Sequence, residues 1–199
     1  MMIKQIPCLL LLAAIAGGCA TAPSRFYNLT ATAMSDGTHT ANYAVAVGPV
    51  SVPALVDRPQ FTVQIAPNRV MIDEFNRWAA PLNDSIARVV AADLAVLLGT
   101  PRVATTPLVN FDPAYRVTIN VLRFESHQST ALNNEGVLVE VVWVVSRAAG
   151  GAARSGHTIA RDPATGDGFA ALAAGHSRAL AKVSADIADA IRADAGANP

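Results

Sequence analysis

The sequence predicts an α+β domain: one mainly antiparallel sheet with two amphipathic helices packed on the same face. Three observations predict it. Apolar residues alternate with polar ones over Tyr43–Val50, Phe61–Ile65 and Tyr115–Val121, the period of a half-buried strand. Two other stretches, Leu82–Leu98 and Phe169–Ile191, repeat apolar residues at helical spacing. The elements run strands, helix, strands, helix, an order that argues for an α+β domain.

The chain opens on Met1–Gly18, with Lys4 as its one charge and the apolar run Pro7–Ala16. A charged start, a short apolar core and small residues before Cys19 form a secretory signal. As a helix the apolar run would rise about 15 Å, roughly half a bilayer core, and so would not span. Small residues ending at a cysteine resemble a bacterial lipobox, which makes Cys19 the expected lipidated N-terminus. Ala16 stands where the pattern favours Leu, so the same residues also fit an ordinary signal cut near Gly18 or Ala22. The expected organisation is signal peptide over 1–18, anchor and flexible tether over 19–42, and domain over 43–195. A tether of that length has a root-mean-square reach of about 25 Å.

Within the tether, Arg25–Leu29 is the one stretch able to pair as a short strand. Tyr43–Val50 is the first core strand, interrupted by Gly48-Pro49. Leu55–Gln60 is a turn, Phe61–Ile65 a half-buried strand, and Pro67-Asn68 the turn of a hairpin to Arg69–Ile72. Asp73–Trp78 then connects to the first helix. Pro81 suits that helix's first turn, and Gly99 suits the left-handed residue beyond its end. Leu82, Ile86, Val89, Val90, Leu94, Leu97 and Leu98 form its core stripe, with Asn83, Asp84, Arg88 and Asp93 largely off it.

Arg102–Thr105 is a short strand and Thr106–Ala114 a loop. A long strand follows from Tyr115 to Phe124, then a polar loop over Glu125–Glu135. Val137–Val145 is almost wholly apolar, which predicts a central strand covered on both faces, by helices and by a partner subunit. Arg154–Arg161 is a weaker edge strand, and Asp162–Gly168 a turn into the second helix.

Composition narrows the chemistry. Of 199 residues, 52% are hydrophobic and 15% charged, which excludes a disordered chain. Basic and acidic residues balance at 15 each, so no basic field exists to hold nucleic acid. The two cysteines are Cys8, inside the signal, and Cys19. The mature domain therefore has no disulfide, catalytic thiol or thiolate metal site.

The four histidines lack ligand spacing, and no metal is expected. His176 and Ser177 are adjacent on a helix, where side chains diverge by about 100°, and no G-x-S-x-G elbow occurs. No phosphate loop with lysine occurs either, so catalysis is not expected. The polar cluster Asp57-Arg58-Pro59-Gln60 reads as a self-satisfied turn or as a contact site for a partner. Trp78 reads as a lid on the core or as an interface anchor.

Several segments together carry a family resemblance: Arg25–Leu29, Val47–Pro53, Asp57–Gln60, Phe75–Leu82, Tyr115–Val117 and Arg123–Glu125. The chain resembles the PqiC/YmbA family of ABC-type transport auxiliary lipoproteins across nearly all of its mature length. Leu55-Val56 departs from the family's usual aromatic-Leu pair. The resemblance implies a non-enzymatic outer-membrane lipoprotein that works with an MCE-domain protein bridging the periplasm. It implies lipid passage between membranes, envelope integrity and assembly into rings. Cys19 would carry a diacylglyceryl group and an acyl chain, with no other cofactor, beside outer-membrane lipid. The competing reading is a periplasmic module that binds a lipid or small molecule on its own.

Overall fold

The computed structural model describes residues 22–35, 37, 40–105, 111–127 and 136–197. Eight strands form one sheet: β1 Arg25–Tyr27, β2 Val45–Ser51, β3 Gln60–Ala66, β4 Arg69–Trp78, β5 Val103–Ala104, β6 Tyr115–His127, β7 Val137–Arg147 and β8 Arg154–Asp162. Two helices, α1 Leu82–Leu98 and α2 Gly168–Ala197, pack together on one face. The order β1-β4-β3-β6-β2-β5 describes most of the sheet, and β7 and β8 continue it from β6. Its long pairings, β6 with β7 and β7 with β8, are antiparallel, as is the β3–β4 hairpin. Shorter parallel pairings join β1 to β4, β2 to β5 and β6, and β3 to β6, so the sheet is mixed.

The predicted bounds of α1 hold because its end signals are local, whereas α2 runs past the predicted end near Ile191 to Ala197. Pro81 stands at the N-cap of α1, and Gly99 closes it at φ 62°, with its N–H turned back to the last carbonyls. At the other helix, Arg178 clamps Asp162 with two bonds of 2.8 and 2.7 Å, tying α2 to the end of β8. The acidic turn over 162–168 is thus structural chemistry. Val117, Ile119, Val139, Val141 and Val145 face Ile86, Leu94, Leu180, Val183 and Ile187 across a single core.

Two expectations change. The short strand expected within Arg25–Leu29 forms as β1 and pairs with β4, but the tether expected around it is built into the fold as far as residue 33, with Leu29 buried. Asp73–Trp78 is part of β4, where a bulge lets the strand continue. Asp73 Oδ1 accepts from the N–H groups of Phe75 and Asn76 at 2.9 and 2.8 Å and holds that bulge. As expected, helices cover one face of β7. On the other face Leu138 is buried, while Glu140, Val142 and Val144 are half-buried. Residues 125–127 extend β6, and the rest of the predicted polar loop lies outside the described residues, as do Cys19 and His39.

Candidate functional site

The segments singled out in the sequence converge at one corner. Asp57 and Arg58 close a turn, through Asp57 N–H to Pro53 O at 3.1 Å and Arg58 N–H to Val56 O at 2.8 Å. Val56 is buried and plugs the turn onto the core. The carbonyl of Pro59 accepts from Trp78 N–H at 2.7 Å, and that of Tyr27 accepts from Ala79 N–H at 2.9 Å. Three motifs far apart in sequence are thereby stitched together by main-chain bonds.

Behind the corner lies an aromatic cluster. Phe61 stacks on Trp78 with centroids 4.1 Å apart, and Tyr27 and Phe169 meet Phe61 edge-on at 5.6 and 5.2 Å. Trp78 is 7% exposed, so its ring is a core element and not a surface anchor. Asp57 and Pro59 are exposed, and Arg58 and Gln60 are half-buried. Gln60 Nε2 donates to Glu74 at 3.3 Å, whereas Arg58 Nε is buried without a partner among the described residues. The corner therefore presents Asp57 and Pro59 on a rigid base set by Trp78.

His176 and Ser177 do not act on each other. His176 is fully buried, its Nε2 is 2.9 Å from Ser126 Oγ, and its ring stacks on Phe124. Burial pushes its pKa down from 6.5 to about 3, so the imidazole stays neutral. Ser177 Oγ donates to Ala173 O at 2.9 Å and accepts from Thr30 N–H at 3.1 Å. Helix geometry separates the two groups, as the sequence predicts. No metal-holding cluster of acidic, His or Cys residues exists among the described residues.

Sequence reasoning missed Asp93. It was placed off the apolar stripe of α1, yet it is fully buried. Its Oδ1 accepts from the N–H groups of Thr32 and Ala33 at 2.9 Å each, and its Oδ2 receives Ser184 Oγ at 3.2 Å. Burial raises its pKa against the lowering effect of those bonds. The signal was present: Asp93 follows Val89 by four and Val90 by three, which places it on the buried face. With Ser177, it fastens residues 30–33 across both helices.

Taken together, fold and site define a two-layer α+β module whose marked segments fix a rigid surface corner. The chain belongs to the family of ABC-type transport auxiliary lipoprotein components, whose model matches residues 27–188. That family is a transport component and not an enzyme family. Among solved structures, the chain is similar to an uncharacterized protein at 21% identity and TM-score 0.66, covering 85% of this chain and 99% of that one. It is also similar to a Xanthomonas campestris protein of the DUF330 family, at 20% identity and TM-score 0.63, covering 83% and 93%. Both likenesses show the fold. No curated protein matches the sequence.

Proposed function

We propose that the protein is a non-enzymatic adaptor of an ABC-type lipid transport system, anchored by lipid on Cys19 at the outer membrane. In this reading it works with an MCE-domain protein that bridges the periplasm, and so maintains envelope integrity. The observation that carries it is the family match over 27–188, which follows shortly after Cys19. A diacylglyceryl group and an amide-linked acyl chain on Cys19 give a hold well above the marginal grip of one chain. Ala20, in place of the Asp associated with inner-membrane retention, favours the outer membrane. Among the described residues, no helix is long and apolar enough to cross a membrane.

The corner around Asp57 and Pro59 supplies the partner contact, with the exposed Leu55 beside it. Self-association uses the part of the helix-free face on β6 and β8, where Leu122 and Ile159 are exposed. The interior gives less support to a module that captures lipid on its own. One core runs between helices and sheet, and a cleft of about 750 Å³ is lined by polar as well as aromatic groups, among them Asp112, Tyr43, Tyr115 and Arg147. Arg147 there is committed to Asp194.

Affinity purification of the full-length protein from membranes in mild detergent tests the reading. Recovery of an MCE-domain protein is expected. Its absence, or a lipid retained inside an isolated monomer, would overturn the adaptor role.

A further inference from the structure

One sheet face near the start of the domain carries an apolar row that the fold leaves uncovered. Phe61 and Val63 turn into the core, so their neighbours Thr62 and Gln64, paired with Ile72 and Val70, lie on the helix-free face. Tyr27 turns into the core and its hydroxyl donates to Asn76 Oδ1 at 2.8 Å, so Phe26 and Phe75, the residues next to that pair, lie on the helix-free face, Phe75 within the bulge. These four side chains are exposed: Phe26 64%, Phe75 41%, Ile72 39% and Val70 38%. Arg77, opposite Phe26 and ion-paired with Glu74, is the cation on this face, whereas exposed Arg25 and Arg69 neighbour Phe26 and Val70 and alternate to the other face. Exposed aromatic and aliphatic side chains match the boundary of a membrane interface, where rings sit at headgroup depth.

The chain outside the structure sets the distance. β1 runs parallel to β4 with Arg25 opposite Asn76, so residues before Arg25 enter from the end of β4 that holds the row. Six residue steps separate Cys19 from Arg25, a reach of at most about 20 Å when fully extended. The six steps of β4 from Val70 to Asn76 span about the same length. An anchor with that reach cannot lift Phe26 far from the interface.

We infer that the face formed by Phe26, Val70, Ile72 and Phe75 rests on the lipid surface, as a second, non-covalent contact beside the lipid on Cys19. This rests on the anchored Cys19 of the proposed function. The domain would then lie with the β1–β4 part of its helix-free face on the membrane in one orientation and not swing on a long tether, with the helix layer turned away from the lipid.

The test places a reporter in the row of the full-length protein. Phe26→Trp and Phe75→Trp each sit at an exposed position, and Val96→Trp on α1, in the helix layer, serves as the distant control. Each is reconstituted into phosphatidylethanolamine and phosphatidylglycerol vesicles with or without bromine on the upper acyl chain. Flotation and the mass of the N-terminal peptide are recorded in parallel. Expected is a loss of about twofold or more in the added emission for both row positions, against little change at Val96→Trp. A protein that floats and carries acyl mass, but shows no quenching at either row position, overturns this inference and leaves the anchor intact. A protein that neither floats nor carries acyl mass overturns the anchor reading itself. Emission at Phe75→Trp that follows protein concentration in detergent, and not bromine, assigns the row to a second copy and overturns the lipid contact.

Discussion

The imidazole of His176 lies face to face with the Phe124 ring, their centroids 3.8 Å apart and their planes 7° from parallel. A neutral ring tolerates this place; a cation with no partner but Ser126 does not. Folding therefore depresses the pKa from 6.5 to about 3, and the stability this group contributes is complete above pH 6.5. It is lost as pH falls toward 3, because the unfolded chain binds a proton that the folded chain refuses. Between pH 7 and 4.5 the loss is about 2–3 kcal/mol from this group. Urea unfolding at a series of pH values should show the Ser126→Ala/His176→Phe double variant losing that much less than the wild type. An unchanged slope would remove His176 from the account.

Asp93 acts in the opposite sense. Its folded-state pKa is raised, so the stability held by the neutral carboxyl is present at low pH and lost as pH rises through that value. Asp93→Asn keeps an acceptor for Thr32 and Ala33 without the buried charge. It should match or exceed wild-type stability at pH 7, with the difference narrowing as pH falls toward 4. Asp93→Ala leaves two N–H groups unmet and should cost about 1–3 kcal/mol. Hydrogen exchange checks this locally: the Thr32 and Ala33 amides should open sooner in the alanine variant only.

What the sequence made legible follows from the range of each signal. Pro81 and Gly99 act on their own turns, and alternation over Tyr115–Val121 reports one strand's two faces, so those elements were readable. Which strands join was not, because nothing within Arg25–Tyr27 names Asn76–Trp78 as its partner. The short parallel pairings share that opacity. The bulge at Asp73 depends on a side chain capping its own backbone, so the segment reads equally well as a connector. At the corner, the turn at Asp57 was legible from Pro59. The stacking of Trp78 on Phe61 needed the hairpin to fold first.

Trp78 should behave as a core residue. Trp78→Ala empties a space bordered by Phe61, Phe124 and His176 and should cost about 3–5 kcal/mol, whereas Trp78→Phe retains a ring against Phe61 and should cost less than half of that. Thermal unfolding followed by near-ultraviolet dichroism ranks the two. Comparable losses would mean that the stack contributes little.

Gly156 is a packing requirement. A Cβ built there would lie 2.1 Å from the indole of Trp143, its cross-strand partner. That indole also donates to Thr158 Oγ1 at 3.1 Å, and Thr158 donates to Asp186 on α2 at 2.6 Å. Gly156→Ala must displace the ring and disturb this chain of bonds. A cost of about 2–4 kcal/mol is expected, with a shift in Trp143 emission. Gly150→Ala, where an added Cβ meets nothing within 4 Å but φ is +86°, separates crowding from backbone strain. Its loss should come with no emission change.

The exposed corner makes the contrasting prediction. Asp57 and Pro59 face solvent, and the bond from Trp78 N–H uses the main-chain carbonyl of Pro59, which Pro59→Ala retains. Asp57→Arg and Pro59→Ala should therefore change unfolding free energy by no more than about 0.5 kcal/mol. If the corner is the partner surface, charge reversal at Asp57 should weaken co-purification of the membrane partner about tenfold or more, a change of roughly 1.4 kcal/mol in binding. Equal recovery with the wild type and the Asp57→Arg variant would move the contact elsewhere on the domain. A fall in recovery together with a fall in stability would instead mark Asp57 as structural.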